Sequence, residues 1–378
     1  MTVPARHRRP EGGQVLAVMA IGLTAMLMMV GLILDGGNAW GQQRGTQNAS
    51  DSASLAGATV LLQDKAGDTK DNTAVLAAVN QSLAANNTTY EEARYVDIDG
   101  TDLGAVPASG AIPAEADGVH VRSTRNFRTY LAGIAGITEL NTGADATAVA
   151  GKALGVCSAA SGCGILPLTF SVNVTDCDGN GNIIIGDPNS FWPIVDLATA
   201  KADQGVGTYE AIYPLCKVGP GGVGWLDFGC GGTLKQQIAN PCNRAFDIPI
   251  WIPTSPGNSN AVENEVNAYA GKVVLIPLFD STCRTIPASG LTQDCTDPGN
   301  GDNRYYHIPK FVAMLLDEAH IQGNNSPECN GPPGQPVGGN GGTSCLKGWF
   351  IEYVIQGPVG EYDPVADNGA VLGIQLIQ

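Results

Sequence analysis

The residues best suited to hold an ion lie between Asp176 and Asp187, a segment that reads DCDGNGNIIIGD. Its spacing fits a twelve-residue calcium loop, with oxygen-bearing side chains at positions 1, 3 and 5, a glycine at 6 and an acid at 12. Calcium prefers oxygen ligands, and the glycine lets the chain turn sharply around the ion. Calcium is therefore the candidate cofactor, and its candidate ligands are Asp176, Asp178, Asn180, Asn182 and Asp187.

The same segment also fits a plain β-hairpin. Position 12 is aspartate rather than the longer glutamate, the flanks are strand-like, and Asp-Gly-Asn-Gly is a common hairpin turn. The residues alone leave both interpretations open. A less complete oxygen-rich loop follows later in the chain, with Asp294, Asp297, Asn300 and Asp302.

Motifs typical of enzymes are missing from the sequence. It contains no His-Glu-x-x-His zinc motif and no Gly-x-Ser-x-Gly nucleophile turn. The glycine-rich segment 219–232 lacks the Gly-Lys-Ser/Thr ending of a phosphate-binding loop. We therefore predict that the protein is not an enzyme and has no catalytic residues.

All ten cysteines lie between Cys157 and Cys345. An even number on the predicted external side indicates disulfides, whereas the absence of any Cys-x-x-Cys pair argues against zinc. The pattern leaves the connectivity open. The short-range candidates are Cys157–Cys163, Cys283–Cys295 and Cys329–Cys345.

The charge balance argues against nucleic acid as a partner. The formal net charge is −16, and residues 1–34 contribute +2, so the remainder of the chain carries −18. A surface of that charge repels nucleic acid and anionic lipid.

An uncharged run of twenty residues, Val15–Leu34, predicts a transmembrane helix, because it would span about 30 Å. Three arginines precede it within the basic segment 1–14, and Asp35 is the first acid after it. The positive-inside rule therefore places the N-terminus in the cytoplasm and residues after 35 outside the cytoplasmic (inner) membrane. The alternative is a cleavable signal, but the apolar run is longer than the usual 7–15 residues or so. We favour a retained anchor.

Small residues recur every four positions after the span, which predicts that the helix continues outside the membrane through residues 35–64. Glycine disfavours helices, so the series needs a reason such as close packing. Its partner is either the protein's own domain or another membrane-anchored helix. The series consists of Gly37, Gly41, Gly45, Ala49, Ala53 and Gly57.

The rest of the chain predicts an α+β fold. Residues 65–156 suggest a small α+β domain, with helices at 72–86 and 127–137 and strands at 93–98, 118–123 and 144–150. Residues 157–378 suggest a β-rich external domain braced by disulfides. Its predicted strands are 165–174, 246–252, 272–279, 305–316, 348–355 and 370–377, with helices near 233–238 and 261–269.

The residues around the span resemble the N-terminus of TadE/TadG-like proteins of Flp (tight adherence) pilus assembly. The family's small-residue string has serines in place of two alanines here, in Ser52–Ala58. The segment 65–150, including the predicted aromatic helix around Phe127, is also similar to that family. The matching N-terminal residues are Gly13-Gln14, Gly31-Leu32, Asp35-Gly36-Gly37, Arg44, Gln47, Ala49, Asp51 and Ser52–Ala58.

This resemblance implies a membrane-anchored, exported structural component of a pilus or secretion system. Its partners would be the membrane and other membrane proteins of that system, and it would act as a scaffold or minor envelope subunit. The alternative function is a calcium-supported extracellular adhesin or ligand-binding ectodomain.

Overall fold

The computed structural model describes residues 12–156, 165–172, 174–177, 183–185, 193–215, 224–241, 246–255, 262–299, 304–321, 344–363, 367 and 369–377. Its first element, α1 (Gly12–Lys65), is one helix of 54 residues. Within the described ranges, α1 alone is long and apolar enough to cross a membrane, and its apolar part is almost wholly exposed. The predicted continuation beyond Leu34 is present, because the helix runs unbroken to Lys65.

Within the described residues, four shorter helices and twenty strands follow. The helices are α2 (Asn72–Ala85), α3 (Leu197–Asp203), α4 (Leu234–Ala239) and α5 (Glu263–Asn267), with 3₁₀ turns at Ala132–Ala135 and Thr292–Asp294. The strands are β1 (Thr89–Val96), β2 (Asp102–Ala105), β3 (Gly118–Arg128), β4 (Glu139–Ala153), β5 (Gly155–Val156), β6 (Phe170–Ser171), β7 (Val174–Cys177), β8 (Ile183–Ile185), β9 (Ile194–Val195), β10 (Ala211–Leu215), β11 (Phe246–Asp247), β12 (Ile250–Pro253), β13 (Val273–Phe279), β14 (Ser281–Cys283), β15 (Tyr305–Ile308), β16 (Lys310–His320), β17 (Ser344–Ile351), β18 (Val354–Gln356), β19 (Val359–Gly360) and β20 (Leu372–Ile377).

The first sheet carries α1 and α2. Its strand order is β18-β20-β4-β3-β1-β2, and β19 pairs with β4 as a seventh strand. The helices bury an apolar layer against it that includes Leu61, Val79 and Val119. α2 begins where the carboxylate of Asp71 accepts a hydrogen bond from the Ala74 amide, as an N-cap should. The strands nearest the C-terminus therefore complete a sheet built on the N-terminal helix.

The second sheet lies in the later part of the chain, with the order β10-β17-β16-β13-β6 and with β9 paired to β17. Apolar layers cover both of its faces, one containing Met314 and Phe350 and the other Leu315 and Trp349. Burial on both faces explains why β13 and β16 read as continuous apolar runs rather than alternating ones. The chain thus combines a long apolar helix with mixed α/β sheets, as predicted.

The predicted helix from Phe127 to Ile137 is wrong. β3 continues to Arg128, and all 11 of its residues pair with β4. Only a single 3₁₀ turn follows, and Gly136 ends it with φ of +91°. The apolar spacing of this short segment fitted a helix, but the long ladder to β4 satisfies the backbone instead.

Most of the other predicted elements are present with shifted bounds, but three predicted strands are each divided between two sheets. The predicted strand 246–252 forms β11 and β12, 305–316 forms β15 and β16, and 348–355 forms β17 and β18. Pro249 and Pro309, which cannot donate ladder hydrogen bonds, lie at the first two divisions. α2, α4 and α5 lie where helices were expected, and β13 and β20 where strands were expected. The predicted strand 165–174 is shorter, because Pro167 cannot donate a ladder hydrogen bond and β6 starts only at Phe170.

Replacing Gly57 by leucine should destabilise the folded domain, whereas replacing Gly41 should not. A Cβ at Gly57 would lie 3.1–3.2 Å from the Val119 side chain, and one at Gly41 meets nothing within 4 Å. Both changes gain about 1 kcal/mol of helix propensity. Overpacking should lower the stability of Gly57→Leu by about 1–3 kcal/mol relative to Gly41→Leu.

Thermal unfolding of the full-length variants in detergent micelles measures this difference. Equal melting temperatures for the two variants would contradict the packing of α1 on β3.

Candidate functional site

The predicted small-residue series divides into two parts on α1. Ala49 and Ala53 are fully buried, and Gly57 packs on Val119. Gly45 lies close to Arg125, whose Nη1 would be 2.9 Å from an added Cβ. A Cβ added at Gly37 or at Gly41 would meet nothing within 4 Å. The members of the series from Gly45 to Gly57 therefore contact the protein's own sheet, whereas Gly37 and Gly41 are open.

Helix geometry explains this division. A step of four residues turns about 400° around an α-helix, so each member is rotated about 40° from the one before. Between Gly37 and Gly57 the rotation accumulates to about 200°. The series therefore starts on the face of α1 that points away from the first sheet and finishes on the face that contacts it.

A second series, made of polar residues, fixes α1 on the sheet and was missed by the sequence analysis. The Thr46 hydroxyl lies 2.9 Å from that of Thr142, and the Ser50 hydroxyl lies 2.8 Å from that of Ser123. Ser50 also donates to the Ala144 carbonyl at 3.0 Å. These four hydroxyl-bearing residues are buried, so their bonds fix the rotation and height of the helix. The sequence does contain a pattern that could have revealed this polar series. Polar residues recur every four positions at Asn38, Gln42, Thr46, Ser50 and Ser54.

Asp35, the first residue after the apolar run, joins α1 to the far end of the β3–β4 hairpin. Its carboxylate accepts hydrogen bonds from the backbone amides of Tyr130 at 2.5 Å, Ala132 at 2.6 Å and Leu131 at 3.0 Å. These bonds, with that from Tyr130 the strongest, hold the pKa of Asp35 below its ordinary value. The sequence analysis used Asp35 only as a marker of topology.

The calcium hypothesis for residues 176–187 stays a prediction. β7 and β8 pair as antiparallel strands on either side of this loop. Asp176 lies within this ladder, opposite Ile184, and the other candidate ligands, Asp178, Asn180, Asn182 and Asp187, lie outside the described residues. In the second loop, Asp297 forms an ion pair with Arg284 at 3.2 Å, and Asn300 and Asp302 lie outside the described residues. Across the described part of the chain, no group of three or more His, Cys, Asp or Glu residues could hold a metal.

One of the three candidate disulfides is present. Cys283 on β14 is bonded to Cys295, with the Cα atoms 5.8 Å apart. Cys345 on β17 is buried and disulfide-bonded. Cys157, Cys163 and Cys329 lie outside the described residues, so the other two predicted pairings stay predictions.

Comparison with known proteins finds a family match within the long helix α1. Residues 13–60 match the family model "Tad: Putative Flp pilus-assembly TadE/G-like". This range covers most of α1 (Gly12–Lys65), so the predicted resemblance is confirmed for the helix that carries the sites described above. No curated protein and no solved structure matches the chain.

Replacing Asp35 by asparagine should loosen the end of the β3–β4 hairpin, because an amide accepts the three N–H bonds more weakly than a carboxylate. Hydrogen exchange of the Tyr130, Leu131 and Ala132 amides should accelerate at least about tenfold. Asp51→Asn, which changes an aspartate elsewhere on α1, should leave these amides unaffected.

The same protection should depend on pH. A lowered folded-state pKa means that the bonds are intact above the ordinary value of 3.8 and are lost as the pH falls through the folded pKa. Asp35→Asn should show no such transition, and protection that is equal in both proteins at every pH would contradict the bridge.

The calcium hypothesis predicts that millimolar calcium raises the melting temperature of the full-length protein in detergent and that Asp176→Ala abolishes the rise. An absent shift, or an equal shift in Asp176→Ala, would show that the loop is a plain hairpin.

Proposed function

We propose that this protein is a membrane-anchored structural component of Flp pilus assembly that acts as a scaffold or minor envelope subunit. The observation that carries the proposal is the match of residues 13–60 to the TadE/G-like family, because those residues form the helix on which the external sheet is built. The family's description concerns assembly, which supports a structural rather than an enzymatic role.

A single continuous helix suits a scaffold. The apolar part of α1 lies in the membrane, and the buried residues between Thr46 and Leu62 pack into the core of the first sheet. A flexible linker would let the external domain change its height and orientation relative to the bilayer, whereas an unbroken helix fixes both. Partners assembling on this domain would therefore meet it at a defined distance from the membrane.

The proposed topology places the N-terminus in the cytoplasm and the folded domain outside the inner membrane. Arg6, Arg8 and Arg9 precede the span, in agreement with the positive-inside rule. The Cys283–Cys295 disulfide also supports an external location, because disulfides persist in oxidising compartments.

The proposed contact with other membrane proteins is the open part of the small-residue series. Gly37 and Gly41 lie one helical turn apart on α1, just above the apolar run. Each costs about 1 kcal/mol of helix propensity relative to alanine. Nothing among the described residues packs on either glycine in return. A second helix approaching this face would use the missing side chains for close packing, as in small-xxx-small pairs.

Replacing Gly37 and Gly41 together by leucine should abolish pilus assembly and reduce crosslinks between this protein and its membrane partners to background. The folded domain should be unaffected, because both positions are open. Ser52→Leu is the matched control, since Ser52 is exposed on the same helix and its hydroxyl donates to the Asn48 carbonyl, within α1 itself.

Pilus counts, in-cell crosslinking and membrane levels of each variant provide the measurement. Normal pili and crosslinks in the double variant would reject the contact through Gly37 and Gly41. Normal pili in a strain lacking the protein would reject the assembly function itself.

A further inference from the structure

The connection between β3 and β4 is an apolar tip. The ten residues Thr129–Thr138 include no charged side chain. Tyr130 is 68% exposed, Ile134 83% and Ile137 52%, and the adjoining Leu140 is also exposed. A water-facing hairpin end normally carries polar turn residues, so this concentration of exposed apolar surface calls for a partner.

The position of the tip along α1 indicates what kind of partner covers this apolar surface. Leu131 packs on Gly31, where an added Cβ would lie 3.1 Å from the Leu131 Cβ. Gly31 lies three residues inside the apolar run, about 5 Å below its end at Leu34. The tip is therefore held against α1 at the depth of the hydrocarbon boundary, in the leaflet on the side of the folded domain.

Backbone amides of the tip are hydrogen-bonded within the protein, as an apolar medium requires. The amides of Tyr130, Leu131 and Ala132 donate to the carboxylate of Asp35, a residue that is only 8% exposed. The Ile134, Gly136 and Ile137 amides donate to carbonyls within the tip. Satisfied donors remove the main cost of placing irregular backbone in a membrane interface.

The space between the tip and α1 is also apolar. It is a groove of about 710 Å³, lined by α1 residues from Thr24 to Ala39 and by Leu131, Ala132, Ile134 and Leu140. The Thr24 hydroxyl donates to the Ala20 carbonyl at 2.8 Å, so it presents no unpaired donor to the groove. Acyl chains fit this chemistry and lie at this depth.

We propose that the β3–β4 tip inserts into the bilayer beside α1 as a second, interfacial anchor, with acyl chains filling the groove between them. Tyr130 then lies at the interface, where aromatic residues are favoured. Two attachment points, a span and a tip, prevent rotation of the external domain about the axis of α1. The proposal requires that α1 spans a membrane but does not depend on the pilus assignment.

Photo-crosslinking in phosphatidylcholine nanodiscs tests the proposal on the full-length protein. A benzoylphenylalanine replaces Ile134, and adducts are identified by mass spectrometry. Leu23, 63% exposed in the span, is the positive control, and Leu103, 43% exposed on β2, is the negative control. Leu103 lies beside the pairs that join β1 to residues 118 and 119, about 30 Å along β3 from the tip.

Lipid adducts at position 134 comparable to those at position 23, with none at position 103, are the expected result. Protein adducts alone at position 134 would overturn the proposal, and adducts that join two copies of the chain would identify a second copy as the occupant. An absence of lipid adducts at 134 and 103, with adducts at 23, would equally overturn it. Substitution at so exposed a position should leave the fold intact, and the far-UV circular dichroism of each variant verifies this.

Discussion

The packing of α1 on β3 and β4 is the contact on which the rest of the structure depends. It buries Ala49 and Ala53 completely and places the hydroxyls of Thr46 and Ser50 against those of Thr142 and Ser123. Unpaired, each buried hydroxyl would cost about 1–3 kcal/mol, so the four must meet in one register. That requirement fixes the height of the sheet on the helix, and hence the distance of the folded domain from the apolar run.

Along its length, α1 passes through three environments with three kinds of side chain. Large apolar residues are exposed up to Leu34, small residues at Gly37 and Gly41 leave an open face, and buried small and polar residues contact the sheet from Gly45 onward. Asp35 lies between the large apolar residues and the open glycines. Its carboxylate accepts a hydrogen bond from the Tyr130 amide in the β3–β4 tip. The same helix therefore serves as anchor, connector and core.

The sequence was sufficient to predict the elements whose signal is local. The apolar run, the four-residue repeat after it and the amphipathic pattern of α2 each lie within one segment, and the helices α1 and α2 that they predict are present. Residues 127–137 were misassigned because a short apolar spacing fits both a helix and a strand with a turn. The pairing of β3 with β4 favours the strand with a turn. This pairing depends on two segments at once, so the pattern of one segment does not predict it.

Contacts between distant segments were not predictable for the same reason. Ile374 pairs with Ala150, which joins the end of the chain to the first sheet, and no pattern near either residue encodes the other. The bridge from Asp35 to residues 130–132 also depends on where the β3–β4 hairpin ends. In the candidate site, the glycine series was visible in the sequence, but the face each glycine occupies required the position of the sheet.

In the proposed function, one unbroken helix forms both the membrane anchor and the core of the external domain. Spin labels at Leu32 and Ser52, both exposed positions of α1, test this directly in lipid nanodiscs by pulsed dipolar spectroscopy. Twenty helical residues separate the two sites by about 30 Å, so a narrow distribution centred near that distance is predicted. A broad distribution, or a clearly shorter distance, would mean that the helix bends or breaks between membrane and domain and would contradict the account.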